Sequence, residues 1–165
     1  MTALWKRNLI GAVVVVVALV VYTGTELLPD WSTYRHTVTP AVIVPADQAG
    51  TVDGLTWRVT AVRHLAASPR AYADPLPKGT VLEVVSIDRS GAQPDGSCVG
   101  VITDGQRRWQ AQGVGGFAVT PPDGATGNCT RPGPVQFTFV LPQDAVPTAV
   151  DVTDFSGRIL VRLTL

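Results

Sequence analysis

Residues 8–25 read NLIGAVVVVVALVVYTGT, eighteen residues without a charge, and no other stretch limits so severely what the chain can become. As an α-helix rising ~1.5 Å per residue, this run is about 27 Å long, close to the thickness of a bilayer's hydrocarbon core. Lys6 and Arg7 precede it, whereas Glu26 and Asp30 follow it. Basic residues stay on the cytoplasmic side of a membrane helix, so the bias predicts a cytoplasmic Met1 and an exported remainder. Trp5 on one flank, and Tyr22, Trp31 and Tyr34 on the other, stand where interfacial aromatics anchor such helices. The expected organisation is a cytoplasmic tip at residues 1–7, a transmembrane signal-anchor helix at 8–28, a stalk at 29–40 and an extracytoplasmic domain at 41–165.

Two other readings compete with the anchor. Residues 9–22 also have the length of a signal-peptide apolar region, but the only small-residue site nearby is Thr23-Gly24-Thr25, with no Ala-x-Ala. No cysteine lies near the end of the run to carry a lipid. A valine-rich segment also suits a buried strand. Its length, several times that of an ordinary strand, argues against this. An uncleaved anchor in the lipid bilayer is therefore the expectation.

The part beyond the anchor, about 130 residues, is enough for one domain with its own core. Beyond residue 30 eleven basic residues face eleven acidic ones, a balance that offers nucleic acid no electrostatic attraction. Lysine occurs only at Lys6 and Lys78, and arginine, alanine, valine, glycine and proline are favoured instead. Such usage suits a GC-rich bacterial genome, as in the actinobacteria.

Cys98 and Cys129 are the only cysteines, and both fall in the exported part, where thiols oxidise. A bridge between them closes a loop of about thirty residues and is worth ~3–4 kcal/mol through the unfolded chain. Metal ligation competes with it but needs further ligands at short spacing. The only histidines, His36 and His64, stand far from both cysteines in sequence.

After the stalk the hydrophobic period is two. Pro40 and Pro45 bracket an edge strand at 41–44, as proline is excluded from central ladders. In LTWRVTAV, Leu55, Trp57, Val59 and Ala61 share one face, and Thr56, Arg58 and Thr60 the other. Residues 66–79 form a proline-rich loop, TVLEVVSID reads as a central strand, and Pro94-Asp95-Gly96 marks a turn. CVGVIT and RRWQAQ make a hairpin across Asp104-Gly105-Gln106. Residues 113–134 are irregular and too long to hold themselves still without the bridge at Cys129. Val135, Phe137, Phe139 and Leu141 line one face of the next strand, and AVDVT follows. In the last strand Ile159, Val161, Leu163 and Leu165 face the core, and Arg158, Arg162 and Thr164 face solvent. Seven or eight short strands, with no helix after residue 30, predict an all-β antiparallel sandwich.

The order of motifs resembles a known group. Gly54-Leu55-Thr56-Trp57-Arg58-Val59, Lys78-Gly79, Asp104-Gly105, Pro132-Gly133 and the run FTFVLPQDA at 137–145 are similar to those of exported, membrane-anchored bacterial immunoglobulin-like domains of unknown function. These are akin in fold to the immunoprotective extracellular antigen of mycobacteria. The resemblance covers residues 54–165 and implies an immunoglobulin-like sandwich in the cell envelope, without catalytic residues. The chain departs from it at Asp88-Arg89-Ser90-Gly91, where the group carries Asn-x-Gly, and in the disulfide.

No catalytic constellation is legible. A Gly-x-Ser-x-Gly elbow is missing, and His64 has no recognisable partner. Asp-Gly recurs at 53, 95, 104 and 123 without the spacing of a calcium loop, and is read as turns. Asp151 and Asp154 make at most a pair, and Asn128-Cys129-Thr130 matches a glycosylation sequon only formally. Neither a cofactor nor a metal ion is expected. Arg107-Arg108-Trp109 is the candidate partner contact: Arg107 and Trp109 share a strand face and offer a cation beside an aromatic, while Arg108 takes the other face. The plainer reading has Trp109 in the core and Arg108 solvated. The expected function is a binding or accessory module touching an envelope protein or a membrane complex, with a structural or assembly subunit as the alternative and an envelope enzyme the least expected. The loops at 66–79 and 113–134 are the other candidate contact surface.

Overall fold

A computed structural model describes residues 2–69, 75–91, 96–113 and 115–165. The turn expected at Pro94-Asp95, and the side chains of Lys6 and Arg7, lie outside the described residues. The chain divides into two units, Met1–Val38 and Thr39–Leu165.

The first unit is helical. α1 spans Thr2–Tyr22, a π-helical turn spans Thr23–Leu27, and α2 spans Leu28–Val38. Pro29 explains the π turn, because it has no N–H for the carbonyl four residues back and its ring crowds that carbonyl. The ladder widens there, and the Leu28 N–H reaches the Thr23 carbonyl instead. Thr23 and Thr25 hydroxyls donate to the Leu19 and Val21 carbonyls at 2.8 and 2.9 Å, so neither exposes an unmatched donor in the apolar segment. Contrary to the expected absence of helix after residue 30, the stalk region is helical to Val38. Pro29 and Asp30 stand in its first turn, and Arg35 and His36 in its last, the placement that the helix dipole favours.

The second unit is a two-sheet β-sandwich. Its strands are β1 Ile43–Val44, β2 Gly50–Val52, β3 Leu55–Leu65, β4 Thr80–Gly91, β5 Val99–Thr103, β6 Arg108–Gln110, β7 Val135–Pro142, β8 Ala149–Thr153 and β9 Ile159–Thr164. One sheet runs β1-β9-β8-β5-β6 and the other β2-β3-β4-β7. Trp57, Val85, Ile87, Phe137 and Phe139 of the second sheet pack in one cluster with Ile102, Val150, Val152, Val161 and Leu163 of the first. The alternation read on β7 and β9 thus lines the core as expected.

Three details differ from the sequence reading. β1 pairs parallel with β9, so the sandwich is not wholly antiparallel. β2 is an additional strand, joined to β3 by Asp53-Gly54 with φ of 50° and 76°, the left-handed pair that a tight hairpin turn needs. In β3 a bulge between Val59 and Ala61 shifts the register, and Ala61 turns out to solvent instead of facing the core.

The 113–134 segment is pinned by the bridge at Cys129, as expected, and by bonds to β7 as well. Cys129 is bridged to Cys98 with Cα atoms 5.1 Å apart. Along the edge of β7, the Gln112 N–H donates to the Thr138 carbonyl at 2.7 Å and the Gln136 N–H to the Thr126 carbonyl at 2.8 Å. The Val119 N–H donates to Thr138 Oγ1 at 3.1 Å, and Gln136 Nε2 returns a bond to the Val119 carbonyl at 3.2 Å. The irregular segment therefore covers a strand edge that would otherwise be open.

Candidate functional site

Arg107 sits in the turn between β5 and β6 rather than in the strand. Asp104 builds that turn: its Oδ1 accepts the N–H groups of Gln106 and Arg107 at 2.9 and 2.6 Å, and its Oδ2 accepts Arg107 Nε at 2.8 Å. The bonds from the Arg107 and Gln106 backbones, more than the ion pair, hold the Asp104 carboxyl down at about 2. The Arg107 guanidinium lies 5.2 Å from the centre of the Trp109 ring and 3.5 Å from Asp144. Arg107 and Trp109 do share a face, but the cation is already matched by two carboxylates. Trp109 is half-buried against the core.

Arg108 turns to the opposite face and does more than meet water. Its Nη2 reaches Asp151 Oδ2 at 3.0 Å, and Arg162 forks the same carboxylate with Nε on Oδ1 at 2.6 Å and Nη2 on Oδ2 at 2.8 Å. Asp151 is fully buried, because β8 lies inside its sheet and neighbouring side chains cover it. A carboxylate there requires charged donors. This corrects the placing of Arg162 in solvent. Asp151 and Asp154 do not converge: Asp154 caps its own turn, with Oδ1 accepting the Ser156 and Arg158 N–H groups at 2.9 and 3.0 Å.

His64 has a partner that its sequence neighbours did not reveal. Its Nδ1 meets the carboxylate of Glu83, which lies opposite it on β4. Glu83 is 1% exposed, and its Oε2 accepts no other hydrogen bond among the described residues. Burial raises the Glu83 pKa, and the charge of His64 opposes the rise. Among the described residues no group of three or more His, Cys, Asp or Glu side chains is arranged to hold a metal ion.

At the other end of β4, Arg89 faces the core opposite Trp57 and is 4% exposed. Its Nη1 donates to the Cys129 carbonyl at 3.3 Å and its Nη2 to the Arg131 carbonyl, with the Trp57 ring centre 5.7 Å from the guanidinium carbon. Arg89 borders a cavity of about 250 Å³ formed by the β2–β3 turn, the disulfide and the β8–β9 turn. A wider groove of about 580 Å³ follows the 113–134 segment, with Gln110, Gln112, Thr126 and Asn128 on its walls. Neither Glu83 nor Arg89 belongs to a recognisable motif, but both fall in phase with Val85 and Ile87 on the inward face, the signal in the sequence that marks them.

No protein-family model and no curated protein matches the chain. Among solved structures it is similar to an uncharacterized β-sandwich protein from Clostridium difficile 630, at 11% identity over 77% of this chain and 95% of that one, with a TM-score of 0.38.

Proposed function

We propose that the protein is a single-pass membrane protein that presents an immunoglobulin-like binding or accessory module on the extracytoplasmic face of the cell membrane, in contact with an envelope protein or a larger membrane complex. The observation that carries this reading is the N-terminal helix: none of its apolar window is buried, and Leu9, Val13, Val16 and Val20 are all more than half exposed. A helix of a soluble domain hides one stripe against a core, whereas a helix apolar all round suits lipid. The immunoglobulin-like part of the proposal draws on strand order. β9-β8-β5-β6 faces β3-β4-β7, and the chain crosses between sheets after β4, β6 and β7 before closing with the β8–β9 hairpin. Its disulfide departs from the inter-sheet bridge of antibody domains, since Cys98 and Cys129 both lie outside strands.

Protease added to spheroplasts tests the reading. It should degrade everything after the helix and leave protected a fragment carrying an N-terminal tag. Replacing Lys6 and Arg7 by Glu should reduce correct insertion. A soluble, shortened protein beginning near Glu26 would overturn the anchor and leave a secreted domain. If the anchor holds, gentle detergent extraction should bring a partner with the protein.

A further inference from the structure

The cavity beside Arg89 combines buried charge with empty space. Its apolar wall is Leu55, Trp57, Leu160 and the Cys98–Cys129 disulfide. Three further charged groups line it: Asp53, Asp154 and Arg158. Asp154 and Arg158 pair with each other at 3.2 Å and are 30% and 54% exposed, and Asp53 is exposed in the β2–β3 turn. Arg89 is by far the most buried of the four.

A guanidinium does not shed its proton, so a buried one needs acceptors. Arg89 has two backbone carbonyls and the face of an indole, and no carboxylate among the described residues pairs with it. These neighbours supply dipoles and a quadrupole, none of them a full negative charge. Its remaining N–H donors have no acceptor among the described residues. In a partly enclosed, low-dielectric setting, a charge brought to those donors interacts far more strongly than in water.

We infer that this cavity binds a small organic anion, a carboxylate seated on the Arg89 fork with a compact apolar body against Leu55, Trp57 and Leu160. At ~30 Å³ for each water-sized group, the space holds about eight such groups, the size of one ring with its carboxylate. The apolar wall disfavours a bare inorganic anion, and the buried cation disfavours a cationic ligand. The inference gives the binding module a ligand class but rests on the cavity alone, so a failed topology test leaves it standing and its failure leaves the anchor reading intact.

The experiment uses the full chain in detergent micelles, with benzoate, benzamide and sulfate as probes, followed by titration calorimetry and thermal unfolding. Benzoate should bind saturably at one site and raise the melting temperature, whereas benzamide and sulfate at equal concentration should do neither. Arg89→Met should weaken benzoate on the order of tenfold or more, the worth of a charge-assisted pair. Arg89 also ties down the 129–131 backbone, so Leu160→Trp provides a second variant that fills the cavity and keeps the cation. It should abolish benzoate binding while the cooperative transition persists. Equal binding of benzamide, equal stabilisation by sulfate, or benzoate binding untouched by Leu160→Trp overturns the proposal.

Discussion

Glu83 is an acid in an apolar setting with one imidazole beside it, and its linkage to pH follows from that position. Burial, the dominant influence, raises its pKa above the ordinary value of 4.5 in the folded domain. The folded state then holds a proton that the unfolded chain releases. The stabilisation is complete below about 4.5 and is lost as pH rises through the folded value. Denaturant midpoints of the wild-type domain should therefore fall with rising pH across this window relative to Glu83→Gln, which has no proton to release; parallel curves for the two proteins would refute the assignment. Gly100 gives a second prediction. A Cβ built there would stand 2.6 Å from Cγ of Phe137, inside the core, so Gly100→Ala should destabilise by ~1–3 kcal/mol in equilibrium unfolding. An unchanged midpoint would show that the sheets have room to part. Neither position is obvious from the sequence alone. Glu83 and Arg89 were readable in principle from their phase with Val85 and Ile87, whereas the crowding at Gly100 exists only once β5 and β7 face each other.

Among the elements, strands declare themselves through alternation, and β3, β7 and β9 were legible for that reason, whereas β4 was legible as a mostly apolar run of central-strand length, buried on both faces over residues 82–85. The misses share a cause, which is that backbone bonding decided the outcome where side-chain pattern was silent. β2 is three residues long, β1 joins β9 in parallel over two residues, and α2 continues past Asp30 because a π turn absorbs Pro29. The 113–134 segment is the consequential case. Read from its glycines and prolines it is a contact loop held by the bridge at Cys129 alone, yet its bonds to Gln136 and Thr138 make it the cover of β7. Deleting residues 112–126, which carry the bonds to Gln136 and Thr138, should consequently bare the β7 edge, lower the unfolding midpoint and drive self-association visible in light scattering. A monomeric deletion variant of unchanged stability would return the segment to the role of a free loop. Cys98→Ser isolates the bridge from the cover: it should cost ~3–4 kcal/mol and leave the deletion-type association absent at low concentration.

At the scale of the whole molecule, the two units have separate reasons to be stable. The helix satisfies its backbone internally and is long and apolar enough to cross a membrane. The sandwich holds all nine described strands, its own continuous core and the only disulfide. Each sheet contributes side chains to that core, and β7, which has no strand beyond it in its sheet, is covered from within the same unit. The described residues of that core and the strands of both sheets all lie after Thr39. A fragment of residues 39–165, exported to an oxidising compartment, should therefore be soluble without detergent, carry the Cys98–Cys129 bridge by intact mass, and unfold in a single cooperative transition. Its melting temperature should match that of the sandwich transition in the full chain within about 2 °C, since a difference of 1 kcal/mol shifts a domain of this size by several degrees. Precipitation of the fragment, or a transition broadened and lowered well beyond that margin, would mean that the helical unit contributes to the stability of the sandwich.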